Sequence, residues 1–312
     1  LDQAHSSSET LLNFLCVQEG IKLEKEYLDK VKAHFLLEPN YFDFRANAAG
    51  VREQLNQQVA KKTQNVIPEF LSARQVNGAT RLLIANTFLF DGPWRHAFEK
   101  NATKKGTFYT LEGVQKEVPF MFLSNKRVNY FENEKYQVLE LPYQDSNFGF
   151  LIILPKEKKG ILELDREMNY PTYLNLSTIK KSQEEAISFE EIAQEQVFVP
   201  QDIDLYLPRF SFAEQWDMKS ILEENGVRQI FTREANLSAM LDNADLMVDA
   251  FVHETHIEVN EWGTRASAKT TVSMVEKSIP QTKLVRADHP FFFVIRDHQN
   301  GAILFMGRVM QP

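Results

Sequence analysis

The first part of the chain repeats apolar residues with the period of a helix. Two stretches before residue 72 carry an apolar residue at every fourth position: Leu23, Tyr27, Val31 and Phe35, then Val51, Leu55 and Val59. This spacing places the apolar side chains on one face of a helix. The sequence therefore predicts two amphipathic helices in this region, each with one face turned towards a core.

Beyond residue 72 the pattern changes to that of strands. Four apolar runs have strand length, namely residues 82–85, 148–154, 291–295 and 303–306. Their apolar sequence is too continuous for strands with one solvent-exposed face, so we expect them at the centre of a sheet. Asn300 and Gly301 between the last two runs predict a type I′ hairpin. A short helix is predicted from Met218 to Asn225, with Gly226 as its stop. The fold class is α+β, with a predominantly antiparallel sheet.

One further strand-like segment has an unusual inward face. From Thr264 to Met274 the residues alternate between small or apolar (Thr264, Ala266, Ala268, Thr270, Val272, Met274) and polar (Arg265, Ser267, Lys269, Thr271, Ser273). Alternation of this kind is typical of a half-buried strand. Most of the inward side chains are too small to anchor a strand from the start, and Gly263 lets the backbone turn sharply at its entry. We therefore expect a segment that inserts late, with Thr264 exposed to solvent beforehand.

Composition and charge narrow the function classes. The chain is 43% hydrophobic, 12% aromatic and 25% charged, and no apolar run approaches the length of a bilayer span, so we expect no membrane partner. The formal charge of -8 argues against a nucleic-acid partner, since phosphate contacts need clustered Lys and Arg. No linker, low-complexity stretch or internal repeat divides the sequence. We predict a single domain over residues 1–312.

Cysteine and glycosylation motifs bear on the compartment. The single cysteine, Cys16, excludes an internal disulfide, and its apolar neighbours predict a buried structural thiol rather than a nucleophile. Three N-x-Ser/Thr sequons begin at Asn101, Asn175 and Asn236, and they are candidate glycosylation sites in a secreted protein. We expect a secreted protein, with a cytoplasmic location as the alternative.

No catalytic or metal motif surrounds the histidines. None of the seven lies in a Gly-x-Ser-x-Gly, paired-cysteine or His-Glu-x-x-His context. His253 and His256 are three residues apart, which places their rings on opposite faces of a strand and argues against a zinc pair. The sequence predicts neither an enzyme nor a bound metal or cofactor.

Several ordered motifs give the chain a family resemblance. Glu261-Trp-Gly-Thr-Arg-Ala266 resembles the hinge of a serpin reactive-centre loop, and residues 286–295 with 301–309 resemble the serpin C-terminal signature. Further landmarks follow in family order: Asn86–Trp94, Leu139–Tyr143 with Phe150–Pro155, Leu205–Phe210, and Ala235–Ser238. The resemblance covers essentially all 312 residues. The chain departs from the family at its start, where only the polar stretch Leu1–Thr10 stands in place of the usual N-terminal helical segment. Either the sequence is a fragment of a longer protein, or the protein lacks those helices.

The serpin resemblance implies a fold and a set of functional positions. It implies a large, mostly antiparallel central sheet with further sheets, surrounding helices and an exposed reactive-centre loop at about residues 261–280. The hinge positions are Glu261, Gly263, Thr264, Ala266 and Ala268. The sheet-opening positions are His253 with Asn86, which hydrogen-bond across the opening point, Glu261 with Arg209, which form a salt bridge, and Trp94, which packs beside them.

The resemblance also implies a mechanism and a target. A serpin inhibits as a suicide substrate: a serine protease forms an acyl-enzyme on the loop, and the freed strand inserts into the sheet. Counting seventeen residues from Glu261, as is usual in the family, places the scissile bond at Lys277-Ser278. Lysine there favours a trypsin-like target held in a covalent complex with a monomeric inhibitor. The runner-up position, Met274, implies a chymotrypsin- or elastase-like target.

A non-inhibitory role is the alternative to inhibition. Some serpins are carriers, chaperones or storage proteins, so a serpin fold alone does not establish inhibition. Bulky, charged or proline residues on the inward face of the loop would favour such a role. Thr264, Ala266 and Ala268 are small, and the charged Arg265 and Lys269 fall on the outward face. The loop sequence therefore favours inhibition.

Overall fold

The computed structural model describes residues 7–35, 37–145, 147–177, 198–241, 246–265 and 282–312. The chain forms two compact units. Unit 1 comprises Leu1–Ser8, Asp91–Ser211 and Glu258–Pro312, and unit 2 comprises Glu9–Phe90 and Phe212–Ile257.

Helices and strands alternate irregularly along the described chain. The helices are α1 (Lys25–Phe35), α2 (Phe44–Lys62), α3 (Ile161–Glu167), α4 (Tyr170–Ser177) and α5 (Met218–Glu224), with 3-10 turns at Lys100–Ala102 and Gln229–Phe231. The first seven strands are β1 (Ser8–Gln18), β2 (Asn40–Phe42), β3 (Leu82–Pro93), β4 (Lys104–Tyr109), β5 (Gln115–Glu132), β6 (Tyr136–Pro142) and β7 (Phe148–Pro155). The remaining strands are β8 (Val199–Pro208), β9 (Phe210–Asp217), β10 (Ala250–Asn260), β11 (Gly263–Thr264), β12 (Lys283–Arg286), β13 (Phe291–Asp297) and β14 (Ile303–Val309).

Both predicted helices are present, but only α2 confirms the predicted buried face: in α1 only Val31 is buried, and Phe35 is 67% exposed. Helix α2 begins after Asp43, whose carboxylate caps it by accepting a hydrogen bond from the Ala46 amide. It buries Val51, Leu55 and Val59 in one core cluster, as their spacing predicts. The short helix α5 ends before Gly226, which has a φ of +91° and so supplies the predicted glycine stop.

The strands of unit 2 build a sheet around a parallel central pair. Strand β10 runs parallel to β3, with register from Ala250 opposite Leu83 to His256 opposite Leu89. Cys16 on β1 is fully buried in the adjoining core, as the sequence predicts. Burial raises the pKa of its thiol to about 12, so the group stays protonated and unreactive at neutral pH.

Unit 1 contains a largely antiparallel eight-stranded sheet. Its strand order is β12-β8-β5-β6-β7-β13-β14, and β4 pairs with β5. The apolar runs 148–154 and 291–295 form the neighbouring interior strands β7 and β13, as predicted. The central position predicted for residues 303–306 is wrong, because β14 is the last strand in this order and Met306 is 51% exposed.

The connection between β13 and β14 also differs from the prediction. Strand β13 ends at Asp297 and β14 begins at Ile303, so the loop is longer than two residues. Gly301 has a φ of +74°, but Asn300 does not take the positive φ that a type I′ turn needs at both central positions. The hairpin exists, although its predicted turn type is wrong.

The mixture of helices and sheets confirms the α+β class. Within the described segments, no helix combines the length and apolar character needed to cross a membrane.

Candidate site of strand insertion

A two-residue strand lies between β3 and β10 in unit 1. Strand β11 runs antiparallel to both neighbours: Thr264 is opposite Gly92 of β3 on one side and Val259 of β10 on the other. Gly263 is in the same way opposite Pro93 on β3. The chain reaches β11 by a tight turn directly after β10. The first hinge residues are therefore already part of a sheet.

Thr264 is the last of the predicted hinge residues that the structure describes. Its side chain is 1% exposed, and its hydroxyl is 2.6 Å from the hydroxyl of Tyr143. Tyr143 is itself fully buried, which raises the pKa of its hydroxyl well above the usual value and keeps it neutral. The expectation that Thr264 is exposed before insertion is wrong, because β11 is paired on both sides and Tyr143 covers its inward face.

Glu261 anchors the turn that leads into β11. Its carboxylate is fully buried and accepts hydrogen bonds from Arg209 Nε at 2.8 Å, from Arg209 Nη2 and from Thr103 Oγ1 at 2.6 Å. Its backbone carbonyl accepts the Phe98 amide at 2.8 Å. Burial favours a higher pKa for Glu261, but the bonds from Arg209 and Thr103 outweigh it and hold the pKa below its ordinary value. The structure thus brings Glu261 and Arg209 together in a partly desolvated ion pair.

Trp94 packs against the same turn. Its indole stacks on the Tyr143 ring at a centroid distance of 4.8 Å and an angle of 16°. The indole Nε1 donates to the carbonyl of Asn260 at 2.9 Å, and the Trp94 amide donates to the carbonyl of Trp262 at 2.8 Å. Trp94 therefore connects the ring that covers Thr264 with the backbone that precedes β11.

Asn86 and His253 face each other across the parallel pair in unit 2. They occupy matching register positions on β3 and β10, and His253 Nδ1 is 2.7 Å from Asn86 Oδ1. The Asn86 amide also donates to Asn13 Oδ1 on β1. Burial lowers the pKa of His253, which favours the neutral ring at neutral pH. Within the described residues, no group of three or more His, Cys, Asp or Glu side chains could hold a metal ion.

Strand β11 ends at Thr264, and Arg265 is the last residue described on this side of the loop. Arg265 has a φ of +59°, in the left-handed region of the backbone that residues other than glycine rarely adopt. Its amide donates to the Glu258 carbonyl at 2.7 Å. An extended strand needs negative φ, so further lengthening of β11 requires Arg265 to change its backbone conformation.

Three residues at this site escaped the sequence reasoning. Tyr143 stood within a motif quoted for the family resemblance, but nothing marked it as the partner of Thr264. Thr103 was noted only as part of a sequon, and it donates to Glu261. Asn13 lies on β1 beside Asn86. These contacts join distant segments, so a local pattern carries no signal for them.

The remaining predicted positions lie elsewhere. Ala266, Ala268, Lys277 and Ser278 lie outside the described residues, as does the runner-up Met274. Of the sequon asparagines, Asn101 is exposed in a 3-10 turn and Asn236 is exposed in a loop. Asn175 lies in α4, and its side chain is outside the described part.

Comparison with known proteins places these features in a family. The serpin (serine protease inhibitor) family matches residues 2–312. Neuroserpin of Gallus gallus is 31% identical over 311 residues, covering 97% of this chain and 71% of neuroserpin. The crystal structure of uncleaved ovalbumin superposes with a TM-score of 0.82 at 26% identity, covering 100% of this chain and 79% of ovalbumin. The crystal structure of native protease nexin-1 with heparin superposes with a TM-score of 0.80 at 25% identity, covering 97% of this chain and 77% of protease nexin-1. The chain belongs to the serpin family, whose members are in general inhibitors of serine proteases rather than enzymes.

Proposed function

We propose that this protein inhibits a trypsin-like serine protease as a suicide substrate, with Lys277-Ser278 as the scissile bond. The observation that carries the proposal is the position of β11, which already lies between β3 and β10. A loop that begins as the middle strand of a sheet can lengthen in place after cleavage. Its next inward residues, Ala266 and Ala268, are small enough to enter without displacing core side chains.

The chemistry of the proposed step is acyl transfer. The protease serine oxygen attacks the carbonyl carbon of Lys277, and the amide nitrogen of Ser278 leaves as a free amine. An ester then joins the protease to Lys277. Insertion of the freed strand carries the protease away and distorts its active site. Because the loss of one oxyanion donor slows such a reaction about a hundred- to a thousandfold, even local distortion stalls hydrolysis of the ester.

The energetics of insertion follow from the sheet. Lengthening β11 breaks the direct pairing of β3 with β10 between Ala250 and His256 and replaces it with two new ladders. About ten added hydrogen bonds at about 1 kcal/mol each contribute on the order of 10 kcal/mol. Ordering the loop costs about 1 kcal/mol per residue, which is of similar size. Burial of inward side chains and release of native strain therefore supply part of the drive.

The proposed specificity rests on the side chain at the scissile bond. Lys277 suits a protease pocket that contains a carboxylate, whereas Met274, the other candidate, suits a chymotrypsin- or elastase-like pocket. The lysine is preferred because it is the seventeenth residue from Glu261 in the serpin resemblance. A carrier or storage role stays as the competing function of the fold.

Incubation with trypsin followed by denaturing electrophoresis tests the proposal. We expect a denaturation-resistant band that combines protease and inhibitor, and a released C-terminal fragment that begins at Ser278. Lys277→Ala is the matched control, and it should sharply slow complex formation with trypsin while leaving the fold intact. Complete cleavage without a covalent band would favour the carrier role. Equal rates for Lys277→Ala and the parent would place the bond elsewhere, with Met274→Ala as the next variant to examine.

The proposed inhibitor is a secreted, monomeric glycoprotein with a single serpin domain. The exposed side chains of Asn101 and Asn236 support glycosylation at two of the three sequons. Expression through a secretory pathway, followed by mass measurement before and after glycosidase treatment, tests this part. If the product carries no glycan, the sequons no longer support a secreted glycoprotein, and the cytoplasmic location becomes the preferred proposal.

A further inference from the structure

A groove of about 460 Å³ opens on one face of the large sheet in unit 1. Its floor is formed by Phe120, Phe122 and Tyr206, and its rim includes Lys104 and Arg286. These residues lie on four adjacent strands, β4, β5, β8 and β12. The groove shares no residue with the insertion site described above, so it needs an explanation of its own.

The floor of the groove is an ordered row across the strands. Phe122 is opposite Tyr206, and Tyr206 is opposite Arg286, so the three side chains share one face. The two rings stack at 4.6 Å, and the Arg286 guanidinium lies 4.3 Å from the Tyr206 ring centroid. Gly106 keeps this floor accessible, because a Cβ there would come within 2.8 Å of the Phe120 ring.

The rim carries positive charge that no described carboxylate neutralises. Lys104 is opposite Phe120 and so faces the groove, and both Lys104 and Arg286 are exposed. Neither cation forms a salt bridge with any residue that the structure describes. Among the described residues that line the groove, Glu99 is the only carboxylate. Two cations without a carboxylate partner among the described residues, beside an apolar floor, match a ligand that carries carboxylates between aromatic or aliphatic side chains.

The groove lies beside both ends of the reactive-centre loop. On one side, Thr103 follows the groove residue Ala102 and donates to the hinge residue Glu261. On the other side, Arg286 ends β12, the first strand after the loop. A protease bound to the loop is therefore held close to the groove. Contacts made there add to those of the scissile bond and raise the effective concentration of any weak second contact.

We propose that this groove is a second protease-binding site that takes an acidic surface segment of the target protease, with one or more aromatic side chains against the Phe122 and Tyr206 rings. The inference rests on the proposed inhibitory function for its partner. The groove itself depends on different residues from the scissile bond, so binding by the groove and trapping by the loop can be measured separately.

The first experiment measures the groove alone. The probe is the blocked peptide Glu-Tyr-Glu-Glu-Tyr-Glu, titrated by calorimetry at low salt into protein made without N-glycosylation, so that Asn101 at the rim is unmodified. The double variant Lys104→Glu with Arg286→Glu should weaken binding about tenfold, since it replaces two attractive charge pairs. The matched control is the pair Lys61→Glu with Lys116→Glu, which makes the same change of charge at two exposed lysines that do not line the groove.

The peptide results have clear opposing outcomes. Binding that is weakened about tenfold in the double variant, retained in the control with Lys61→Glu and Lys116→Glu, and absent for the peptide with Gln in place of Glu supports the site. Equal losses in the double variant and the control would show a general charge effect and overturn it. Binding of a sulfated oligosaccharide at this face, without binding of the acidic peptide, would also overturn it in favour of a polysaccharide site.

The second experiment tests the protease as partner. Trypsin is compared with trypsin that carries the same peptide on a flexible linker. The parent inhibitor should form the covalent complex about tenfold faster with the tethered enzyme, and the double variant should lose this gain. Equal rates for both enzymes would overturn the proposal. Plain trypsin reports separately on Lys277: absence of any complex with it contradicts the proposed inhibition and leaves the peptide result to judge the groove.

Discussion

Strands β3 and β10 are related in two different ways. In unit 2 they pair directly and in parallel, from Ala250 to His256, and the Asn86–His253 hydrogen bond joins their side chains. In unit 1 the same two strands are separated by β11, which pairs with both. One stretch of the strand pair is thus closed, while the other already contains the strand that insertion would lengthen.

In the proposed mechanism, the difference indicates where the barrier to insertion would lie. Nucleating a strand between two others is the costly step, because backbone groups must part before new hydrogen bonds form. In this chain that step is complete in the native state, and Glu261 and Thr264 hold it in place through Arg209 and Tyr143. Further insertion requires opening of the closed stretch and a change at Arg265. Substitutions on the open and closed stretches should therefore have different consequences.

The largest expected effect is at Thr264. Because this side chain is buried at 1% exposure, Thr264→Arg would place a charge without a partner in the interior of the native protein. We expect a loss of about 3–5 kcal/mol in the free energy of unfolding, together with loss of inhibition. Chemical denaturation checks the first effect. Thr264→Val is the control, since it keeps the volume and loses only the bond to Tyr143, at about 1–2 kcal/mol. Parental stability of Thr264→Arg would mean that the open stretch is not built as described.

The burial of Thr264 also marks the limit of prediction from sequence. The hinge was recognisable from alternation and family resemblance, but its partner Tyr143 is 121 residues away in the chain. The same limit applies to Met306, whose exposure depends on how many strands follow β14 in the sheet. Strands β7 and β13, in contrast, were predictable because their continuous apolar runs require cover on both faces.

The contacts of the insertion site were also predictable only in part. The pairs Glu261 with Arg209 and Asn86 with His253 came from motif positions that the family resemblance supplied. Thr103 donates a hydrogen bond to Glu261 from a separate turn, and nothing in the sequence around Thr103 predicts this contact. Local patterns predict elements and their buried faces, whereas contacts between distant elements require knowledge of the register.

The next largest effect is expected at the anchor of the open stretch. Glu261→Gln, Arg209→Gln and the double variant form a thermodynamic cycle for the ion pair. The Glu261 carboxylate is 0% exposed but the Arg209 side chain is 37% exposed, so solvent screening limits the coupling to about 1–2 kcal/mol. Denaturation of the four proteins measures it. Thr103→Val serves as a neutral control that removes one hydrogen bond without removing charge.

The same pair has a defined pH dependence. Because the folded pKa of Glu261 lies below its ordinary value of 4.5, its contribution is complete above pH 4.5 and is lost as pH falls through the folded pKa. The coupling between Glu261 and Arg209 should therefore be constant from pH 7 to pH 5 and decline at lower pH. A coupling that is unchanged at strongly acidic pH would contradict the charged pair.

A smaller effect is expected on the closed stretch. His253→Leu removes the bond to Asn86 and should cost about 1 kcal/mol at pH 7.5. Burial holds the folded pKa of His253 below its ordinary value of 6.5, so the parent loses this stability as pH falls below 6.5 and through the folded pKa. Thermal unfolding of parent and variant should converge between pH 7.5 and pH 5. The exposed His34→Leu is the control for loss of a histidine, and it should leave the stability at pH 7.5 nearly unchanged.

The smallest expected effect is at Arg265, where the open stretch ends. Its φ of +59° is unfavourable for a residue with a Cβ but free for glycine. Arg265→Gly should raise the free energy of unfolding by about 0.5 kcal/mol, after allowance for the greater entropy of glycine in the unfolded chain. Glycine also weakens an extended strand by about 0.5–1 kcal/mol, so both effects disfavour insertion.

For Arg265→Gly we expect slower insertion and about twofold more inhibitor consumed per protease trapped. Arg265→Ala removes the same side chain but keeps the Cβ, and it should show neither the stabilisation nor the increased consumption. If the two variants behave alike in denaturation and in protease titration, the backbone turn at Arg265 does not limit the lengthening of β11, and the barrier lies wholly in the closed stretch.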